Sequence, residues 1–221
     1  MNKVKKIIFF RIPLSICNFR CHYCYLAQRD EHYQGVQPEM KYTPEQVGKA
    51  CSVERLGGLA YFNFCADGET LLLKDIEKYV EVLVKQGHFV EIITNMSVKS
   101  QLDKILALPK ELLSHIEFKC SFHYLELKEK GLLKQFAENV NLAWNKGASI
   151  TVEITPSDEL IPYLDEVKSF SLKNFGALPH ITIARNDASK EIGYLTNLDD
   201  EEYKKTWSQF DSSFWRFKRS I

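Results

Sequence analysis

Short apolar segments alternate with longer amphipathic segments along this chain. Phe89–Thr94 and Ser149–Thr155 are rich in β-branched and apolar residues, which is typical of strands. Leu73–Lys85 instead carries apolar residues three and four positions apart, the spacing of one face of a helix. Applied to the whole chain, these criteria predict six strands, at Lys5–Ile12, Leu59–Cys65, Phe89–Thr94, Ile116–Phe122, Ser149–Thr155 and His180–Ala184.

A helix is predicted after each strand. The first has a clear start, with Thr43 as N-cap, Pro44 in the first turn and Gln46 three residues after the cap, and we expect it to end near Gly57. The acidic run Asp199–Glu202 is expected to form the first turn of the last helix, where negative charge is favourable. The remaining predicted helices are Leu73–Lys85, Leu102–Leu113 with a bend at Pro109, Leu132–Asn145, Ile161–Phe170 and Asp200–Phe210.

Six successive strand–helix units predict an α/β fold with a parallel sheet, because parallel strands need long crossover connections. Two closures fit this pattern, a doubly wound open sheet and a curved partial barrel. In both, ligands bind at the carboxyl ends of the strands. Polar residues that directly follow a strand are therefore the candidates for a functional site.

Composition and charge narrow the class of protein. Lys plus Arg equals Asp plus Glu, at 29 each among 221 residues, so neither nucleic acid nor a membrane surface is a predicted partner. The apolar run Ile7–Phe10 follows three lysines, as in a secretory signal, but Arg11 and Pro13 interrupt it. No apolar stretch has the length of a membrane span. We therefore expect a cytoplasmic protein.

Three of the six cysteines lie within eight residues, in the segment Cys17-Asn-Phe-Arg-Cys21-His-Tyr-Cys24. In a reducing compartment this spacing predicts a metal site rather than disulfides, and soft thiolates bind zinc or iron–sulfur clusters. We expect the three to converge on a single point. Three thiolates leave one iron of a cubane without a protein ligand. A structural zinc site normally has four protein ligands, so zinc would need His22 or His32 as well.

Other conspicuous residues are assigned structural roles. Cys51, Cys65 and Cys120 are dispersed in apolar surroundings, and we expect them to be small buried side chains. Trp144 and Trp207 lie on apolar helix faces and are expected in the core. These five residues are therefore not candidates for a site.

The cysteine segment resembles the pattern of the radical S-adenosylmethionine (SAM) superfamily. That pattern is Cys-x3-Cys-x2-Cys with an aromatic residue before the last cysteine, a position that Tyr23 fills. The resemblance implies that Cys17, Cys21 and Cys24 hold a [4Fe–4S] cluster whose fourth iron is chelated by SAM. It also implies a partial TIM-like (βα)6 barrel, which favours the curved closure. In such enzymes an electron from the cluster cleaves SAM, and the resulting 5′-deoxyadenosyl radical takes hydrogen from a substrate.

The resemblance extends to residues after later strands. Asp67-Gly68-Glu69-Thr70 is similar to the family's Gly-Gly-Glu-Pro motif, which binds the amino group of SAM, with Asp67 in place of the first glycine and Thr70 in place of the proline. Asp-Gly is also an ordinary turn dipeptide. Polar residues after the third and fourth strands are implied to lie near SAM or substrate. With Tyr23, the residues implied to bind the cofactor are Asp67, Gly68, Glu69, Asn95, Ser121 and His123.

The resemblance implies an enzyme that abstracts hydrogen from an organic substrate, which could be a small molecule, a peptide, a protein or a sugar. An electron donor such as flavodoxin or ferredoxin is implied as a partner. No side chain is assigned a catalytic role, because the cofactors carry the chemistry. Two alternatives remain open, a non-catalytic zinc-binding protein and an iron–sulfur electron-transfer protein of the same fold.

The domain organisation follows from the same resemblance. Residues 1–221 are expected to form one radical SAM core domain, similar to the core of members with a cysteine-rich C-terminal domain. The aromatic residues Phe214, Trp215 and Phe217 crowd the last positions, and such residues usually pack against something. We therefore expect the natural polypeptide to continue beyond Ile221.

Overall fold

The computed structural model describes residues 3–31, 39–191 and 193–210, and within them six strands form one parallel sheet. Each strand pairs with the next one in the sequence, so the order is β1-β2-β3-β4-β5-β6. The strands are β1 (Lys6–Ile12), β2 (Ala60–Ala66), β3 (Phe89–Thr94), β4 (Ile116–Ser121), β5 (Ser149–Ile154) and β6 (His180–Ile181).

Helical segments connect the strands. Two 3₁₀ helices, Thr70–Leu72 and Asp158–Tyr163, follow β2 and β5. The α-helices are α1 (Tyr25–Gln28), α2 (Pro44–Ala50), α3 (Val53–Leu56), α4 (Ile76–Val84), α5 (Lys99–Leu106), α6 (Lys110–Leu113), α7 (Tyr124–Glu129), α8 (Leu133–Lys146), α9 (Leu164–Phe175) and α10 (Asp200–Trp207). No described helix has both the length and the apolar character needed to cross a bilayer.

The strand order confirms the partial barrel. In a doubly wound sheet the order reverses at a switch point, whereas here each parallel strand adds on the same side of the one before it. Right-handed crossovers then place the helices on one face, and the sheet curves with that face outward. Among the described residues β1 pairs only with β2 and β6 only with β5, so the barrel stays open between the first and last strands.

The two faces of the strands differ in chemistry. On β2, Phe62 and Phe64 are fully buried in the core shared with the helices, where burial of each side chain contributes about 1.5–3 kcal/mol. Asn63 lies between them on the opposite face and donates a hydrogen bond to Glu91 of β3. This alternation follows from the period of two in a strand. The core therefore lies outside the barrel wall, and Asn63 and Glu91 lie on its interior face.

Two predicted helices are each divided in the structure. The first becomes α2 and α3, because the Ser52 side chain accepts a hydrogen bond from Arg55 N at 3.3 Å and starts a new helix. The helix predicted over Leu102–Leu113 becomes α5 and α6 around Pro109, which has no amide hydrogen to continue the first one. The break therefore lies at the proline where a bend was predicted.

The last strand is shorter than predicted. It covers His180–Ile181 rather than His180–Ala184, because the chain beyond it folds back on itself. Arg185 forms an isolated antiparallel bridge with Tyr194, and Leu195 N donates to Ala184 O at 2.8 Å. Helices α1 and α7 were not predicted, since each is a short turn of four or six residues.

Several structural predictions are confirmed. Asp199 caps α10 by accepting hydrogen bonds from the amides of Glu201 and Glu202 at 3.0 and 2.9 Å. Trp207 is buried, and Trp144 packs against the core. Of the isolated cysteines, Cys120 is fully buried as predicted, whereas Cys51 and Cys65 are only half-buried, so the prediction of burial is wrong for these two. His32, Phe214, Trp215 and Phe217 lie outside the described residues.

Candidate functional site

One cavity of about 250 Å³ lies at the carboxyl ends of the strands. Parallel strands end at the same edge of a sheet, so the loops that follow them meet there. The structure brings all ten sequence-predicted site residues to the walls of this cavity. They are Cys17, Cys21, Tyr23, Cys24, Asp67, Gly68, Glu69, Asn95, Ser121 and His123.

The three clustered cysteines lie in the loop between β1 and α1. All are free thiols, and Cys24 is the N-cap residue of α1. Backbone bonds shape the loop, with Cys24 N donating to Cys21 O at 3.0 Å and Phe19 N donating to the Cys17 sulfur at 3.4 Å. The loop thus presents three soft donors to one cavity, and hydrogen bonds within the loop hold its backbone in place.

Burial dominates the acid–base behaviour of Cys17 and Cys21. It raises the pKa of Cys17 to about 11, with a smaller contribution from the charge of Glu69. Burial also raises the pKa of Cys21 strongly. A buried thiol ionises readily only when positive charge is bound beside it, as a metal centre provides. Cys17 and Cys21 are therefore suited to bind metal as thiolates and to stay protonated without it.

The donor set fits an iron–sulfur cluster. Cys17, Cys21 and Cys24 line one cavity, and a cubane takes one thiolate on each of three irons. Within the described ranges, no three His, Cys, Asp or Glu side chains are grouped so that they could share one metal ion. The convergence of the cysteines on a single point stays a prediction.

His22, the alternative zinc ligand, faces away from the cysteines. Its Nε2 lies 2.6 Å from Glu159 Oε2, and the ring lines a different cavity, which it shares with Asp158 and Thr196. The side chain is therefore occupied outside the cysteine cavity. His32, the second alternative, lies outside the described residues.

Gly68 locks the loop after β2 against the cysteine loop. A Cβ atom at this position would lie 2.0 Å from Ile16 O and 2.5 Å from the carbonyl carbon of Ile16. The next residue, Glu69, donates its backbone amide to that same oxygen at 2.9 Å. Only glycine allows this close approach. Ile16 directly precedes Cys17, so this contact fixes the backbone at the first thiol.

The Glu69 side chain connects the same loop to the end of β3. Its Oε1 accepts hydrogen bonds from Leu71 N at 2.9 Å and Thr94 Oγ1 at 2.5 Å, and its Oε2 accepts from Asn95 N at 2.8 Å. Burial raises the pKa of this carboxyl, while the hydrogen bonds from Asn95, Thr94 and Leu71 oppose that rise. The buried carboxylate therefore has three donors that replace its hydration.

Replacing Glu69 by Gln tests this role. The amide keeps the shape but turns one acceptor into a donor, so at least one of the three protein donors is left facing an NH2 group. We expect the free energy of unfolding, measured in urea, to fall by about 1–3 kcal/mol. Glu138→Gln, on an exposed part of α8, is the matched control and should change stability by less than about 0.5 kcal/mol. Equal stability of both variants would contradict the role assigned to Glu69.

Asn95 contacts the cysteine loop directly. Its Nδ2 donates to Asn18 Oδ1 at 3.0 Å, and its Oδ1 accepts from the Ser97 hydroxyl at 2.6 Å. Asn18 Nδ2 in turn donates to Ser97 Oγ at 2.7 Å, which closes a triangle of side chains. Asn95 therefore holds the loop residue that follows Cys17, in addition to lining the cavity.

Asp67 forms the rim of the cavity on the β1 side. The Arg11 guanidinium pairs with its carboxylate, and the Tyr25 hydroxyl donates to its other oxygen at 3.4 Å. Burial, followed by the charge of Asp67, raises the pKa of Tyr25, which therefore stays protonated. The resemblance implies that the amino group of SAM binds at this loop. A carboxylate at position 67 would place negative charge beside it.

Tyr23 and His123 meet on the far wall. The Tyr23 hydroxyl lies 2.6 Å from His123 Nδ1, across 100 residues of sequence. Burial lowers the pKa of His123 to about 4, so its imidazole is neutral near pH 7. Ser121 lies two residues earlier at the end of β4 and lines the same cavity.

Sequence reasoning missed two residues that shape this site. Asn18 lies inside the cysteine pattern, where any residue is allowed, so only its neighbours in space reveal its role. Gln28 donates from Nε2 to Tyr23 O at 2.9 Å and to Arg185 O at 3.0 Å, and its Oε1 accepts from Asp187 N at 2.9 Å. It thereby ties the cysteine loop to the segment after β6. No pattern in the sequence marks either residue.

Structural comparison finds similar folds among solved structures. The anSMEcpe structure with bound AdoMet and Cp18Cys peptide is 16% identical, with a TM-score of 0.61 over 91% of this chain and 57% of that one. SuiB of Streptococcus suis bound to S-adenosylmethionine is 14% identical, with a TM-score of 0.54 over 94% and 48%. SuiB bound to its precursor peptide SuiA is 13% identical, with a TM-score of 0.52 over 79% and 38%.

These likenesses concern the fold, and this chain spans between 38% and 57% of the length of those three structures. No match to a curated protein is found. The sequence signature described as the Radical SAM superfamily matches residues 12–155, a region that contains the cysteine loop and the other predicted site residues. The chain therefore belongs to the radical SAM superfamily, an enzyme superfamily whose cofactors are a [4Fe–4S] cluster and S-adenosylmethionine.

Proposed function

We propose that Cys17, Cys21 and Cys24 hold the cluster and that SAM occupies the remainder of the cavity, from where the enzyme abstracts hydrogen from an organic substrate. The observation that carries this proposal is the single cavity shared by the three free thiols and the ends of β2, β3 and β4. When bound, the cofactors supply one-electron cleavage of the sulfonium and a hydrogen-abstracting 5′-deoxyadenosyl radical.

The chain's own residues bind and orient. The three thiols leave one iron without a protein ligand, which is the position that SAM requires. The loop at Asp67 and Gly68 offers a carboxylate and backbone carbonyls to the SAM amino group, since an ammonium has only donors. Asn95, Ser121 and His123 offer polar atoms from the next two strand ends.

The substrate class and the partners are part of the proposal. We take an organic substrate, with peptides as the first class to test, because SuiB and anSMEcpe are both described in complex with peptides. A flavodoxin or ferredoxin is the proposed electron donor, and the cytoplasm the proposed compartment, since it keeps thiols reduced. Residues 1–221 are proposed to be the core domain of a longer protein, in keeping with the lengths of the compared chains.

Anaerobic reconstitution with iron and sulfide tests the function. We expect a brown protein with about four irons per chain and absorbance near 400 nm. Addition of SAM and dithionite should then release 5′-deoxyadenosine, measured by chromatography. A colourless protein with one zinc would contradict the proposal in favour of a zinc-binding protein. A loaded cluster without 5′-deoxyadenosine would favour electron transfer.

A further inference from the structure

The hydrogen bond between Tyr23 and His123 joins the cysteine loop to the end of β4. The two atoms are 2.6 Å apart, a short distance for an O–H···N bond, and the rings lie with centroids 5.8 Å apart. Tyr23 is the aromatic residue between the second and third cysteines, and His123 is the N-cap residue of α7. The contact therefore couples two walls of the cavity.

The direction of this bond depends on which acceptor takes the tyrosine proton. The Tyr23 hydroxyl has one proton and two neighbouring acceptors, His123 Nδ1 at 2.6 Å and the Cys21 sulfur, and the short contact is the one to His123. A tyrosine hydroxyl carries its proton near pH 7. A neutral imidazole has one N–H and one acceptor nitrogen. If Nδ1 accepts the tyrosine proton, the imidazole proton must lie on Nε2.

The other ring nitrogen, Nε2, is not engaged by the protein. His123 lines the cavity, and Nε2 forms no hydrogen bond with any residue that the structure describes. The buried side-chain atoms that lack a partner within the described ranges do not include Nε2. This nitrogen therefore remains accessible. An accessible N–H donor in a ligand cavity needs an acceptor, and SAM carries such oxygens on its carboxylate and ribose.

We infer that Tyr23 is a positioning residue that holds His123 as the Nε2–H tautomer, so that His123 donates a hydrogen bond to an oxygen of bound SAM. The inference rests on the proposed function for the identity of the ligand. The tautomer itself depends only on the contact between the two side chains. The two parts can therefore fail separately.

The tautomer is measured first, by ¹⁵N NMR of histidine-labelled holoprotein with its cluster in the oxidised state, whose total spin is zero. The ¹⁵N shifts of His123, assigned by its loss in His123→Gln, should show the proton on Nε2. Tyr23→Phe should shift the ring toward a mixture of both tautomers. A proton on Nδ1 in the unaltered protein would overturn the inference, because Tyr23 would then donate elsewhere, for instance to Cys21.

SAM affinity is measured next, by equilibrium dialysis of the oxidised holoprotein without reductant, so that no turnover occurs. Tyr23→Phe should weaken SAM binding about five- to tenfold, which corresponds to the loss of one hydrogen bond. His123→Gln keeps a donor where Nε2 lies and should stay within about threefold of the unaltered protein, whereas the shorter His123→Asn should bind as weakly as Tyr23→Phe.

Iron content separates this inference from the proposed function. All three variants should retain about four irons per chain, because no thiol is altered. An unaltered protein that binds neither cluster nor SAM would contradict the proposed function but not the tautomer. Normal SAM affinity in Tyr23→Phe, with the cluster loaded, would overturn the inference and leave the proposed function intact.

Discussion

Gly68→Ala is expected to abolish cluster loading and to destabilise the protein. The added Cβ would lie 2.0 Å from Ile16 O, and Ile16 C and N are within 2.5 and 2.9 Å. All three are backbone atoms, so no side-chain rotation relieves the contact. Either the loop after β2 or the cysteine loop must move, at a cost of about 1–3 kcal/mol or more. Cys17 follows Ile16 directly and would move with it.

The measurements are iron per chain after reconstitution and the free energy of unfolding in urea. Gly193→Ala is the matched control, since a Cβ there meets no atom within 4 Å. Its iron content and stability should equal those of the unaltered protein within about 0.5 kcal/mol. A Gly68→Ala protein with full iron content and unaltered stability would show that the two loops are not locked together as described.

The second large effect is expected from Cys21→Ala. Two thiolates hold a cubane too weakly for isolation, so iron should fall from about four per chain to less than one. Release of 5′-deoxyadenosine should become undetectable, because SAM cleavage requires the electron of the cluster. The same outcome is expected for Cys17→Ala and Cys24→Ala. Iron by colorimetric assay and 5′-deoxyadenosine by chromatography are the readouts.

Cys51→Ala is the control for the effect of removing any thiol. Cys51 is half-buried at the C-terminus of α2 and does not line the cysteine cavity. Its replacement should leave about four irons and unaltered turnover. If Cys21→Ala kept four irons and turnover, or if Cys51→Ala lost them, the assignment of ligands would be wrong.

The strands and helices were predictable because their signals are local, whereas the choice of the partial barrel came from the resemblance to the superfamily. The period of two in β2 and the three-and-four spacing of α4 depend on which residues are buried. The site was predictable for a related reason. Strand ends meet at one edge, so polar residues such as Asn95 and His123 were expected together before any contact was known.

The missed features depend on contacts that sequence patterns do not encode. Asn18 and Gln28 act through partners 77 and 157 positions away, and their own neighbours in sequence give no sign of this. The length of β6 was overestimated because residues such as Ile183 continue its apolar pattern while the backbone already turns toward the bridge at Arg185. The break before α3 depends on one hydroxyl, that of Ser52.

The amide of Gln28 has a consequence for the order of events during synthesis. The cysteine segment leaves the ribosome early, whereas Arg185 and Asp187, to which Gln28 is bonded, emerge about 160 residues later. Until then the Gln28 side chain, which donates to Tyr23 O, lacks its hydrogen bonds to Arg185 and Asp187. The cysteine segment is therefore fully braced only after the chain has been translated as far as Asp187.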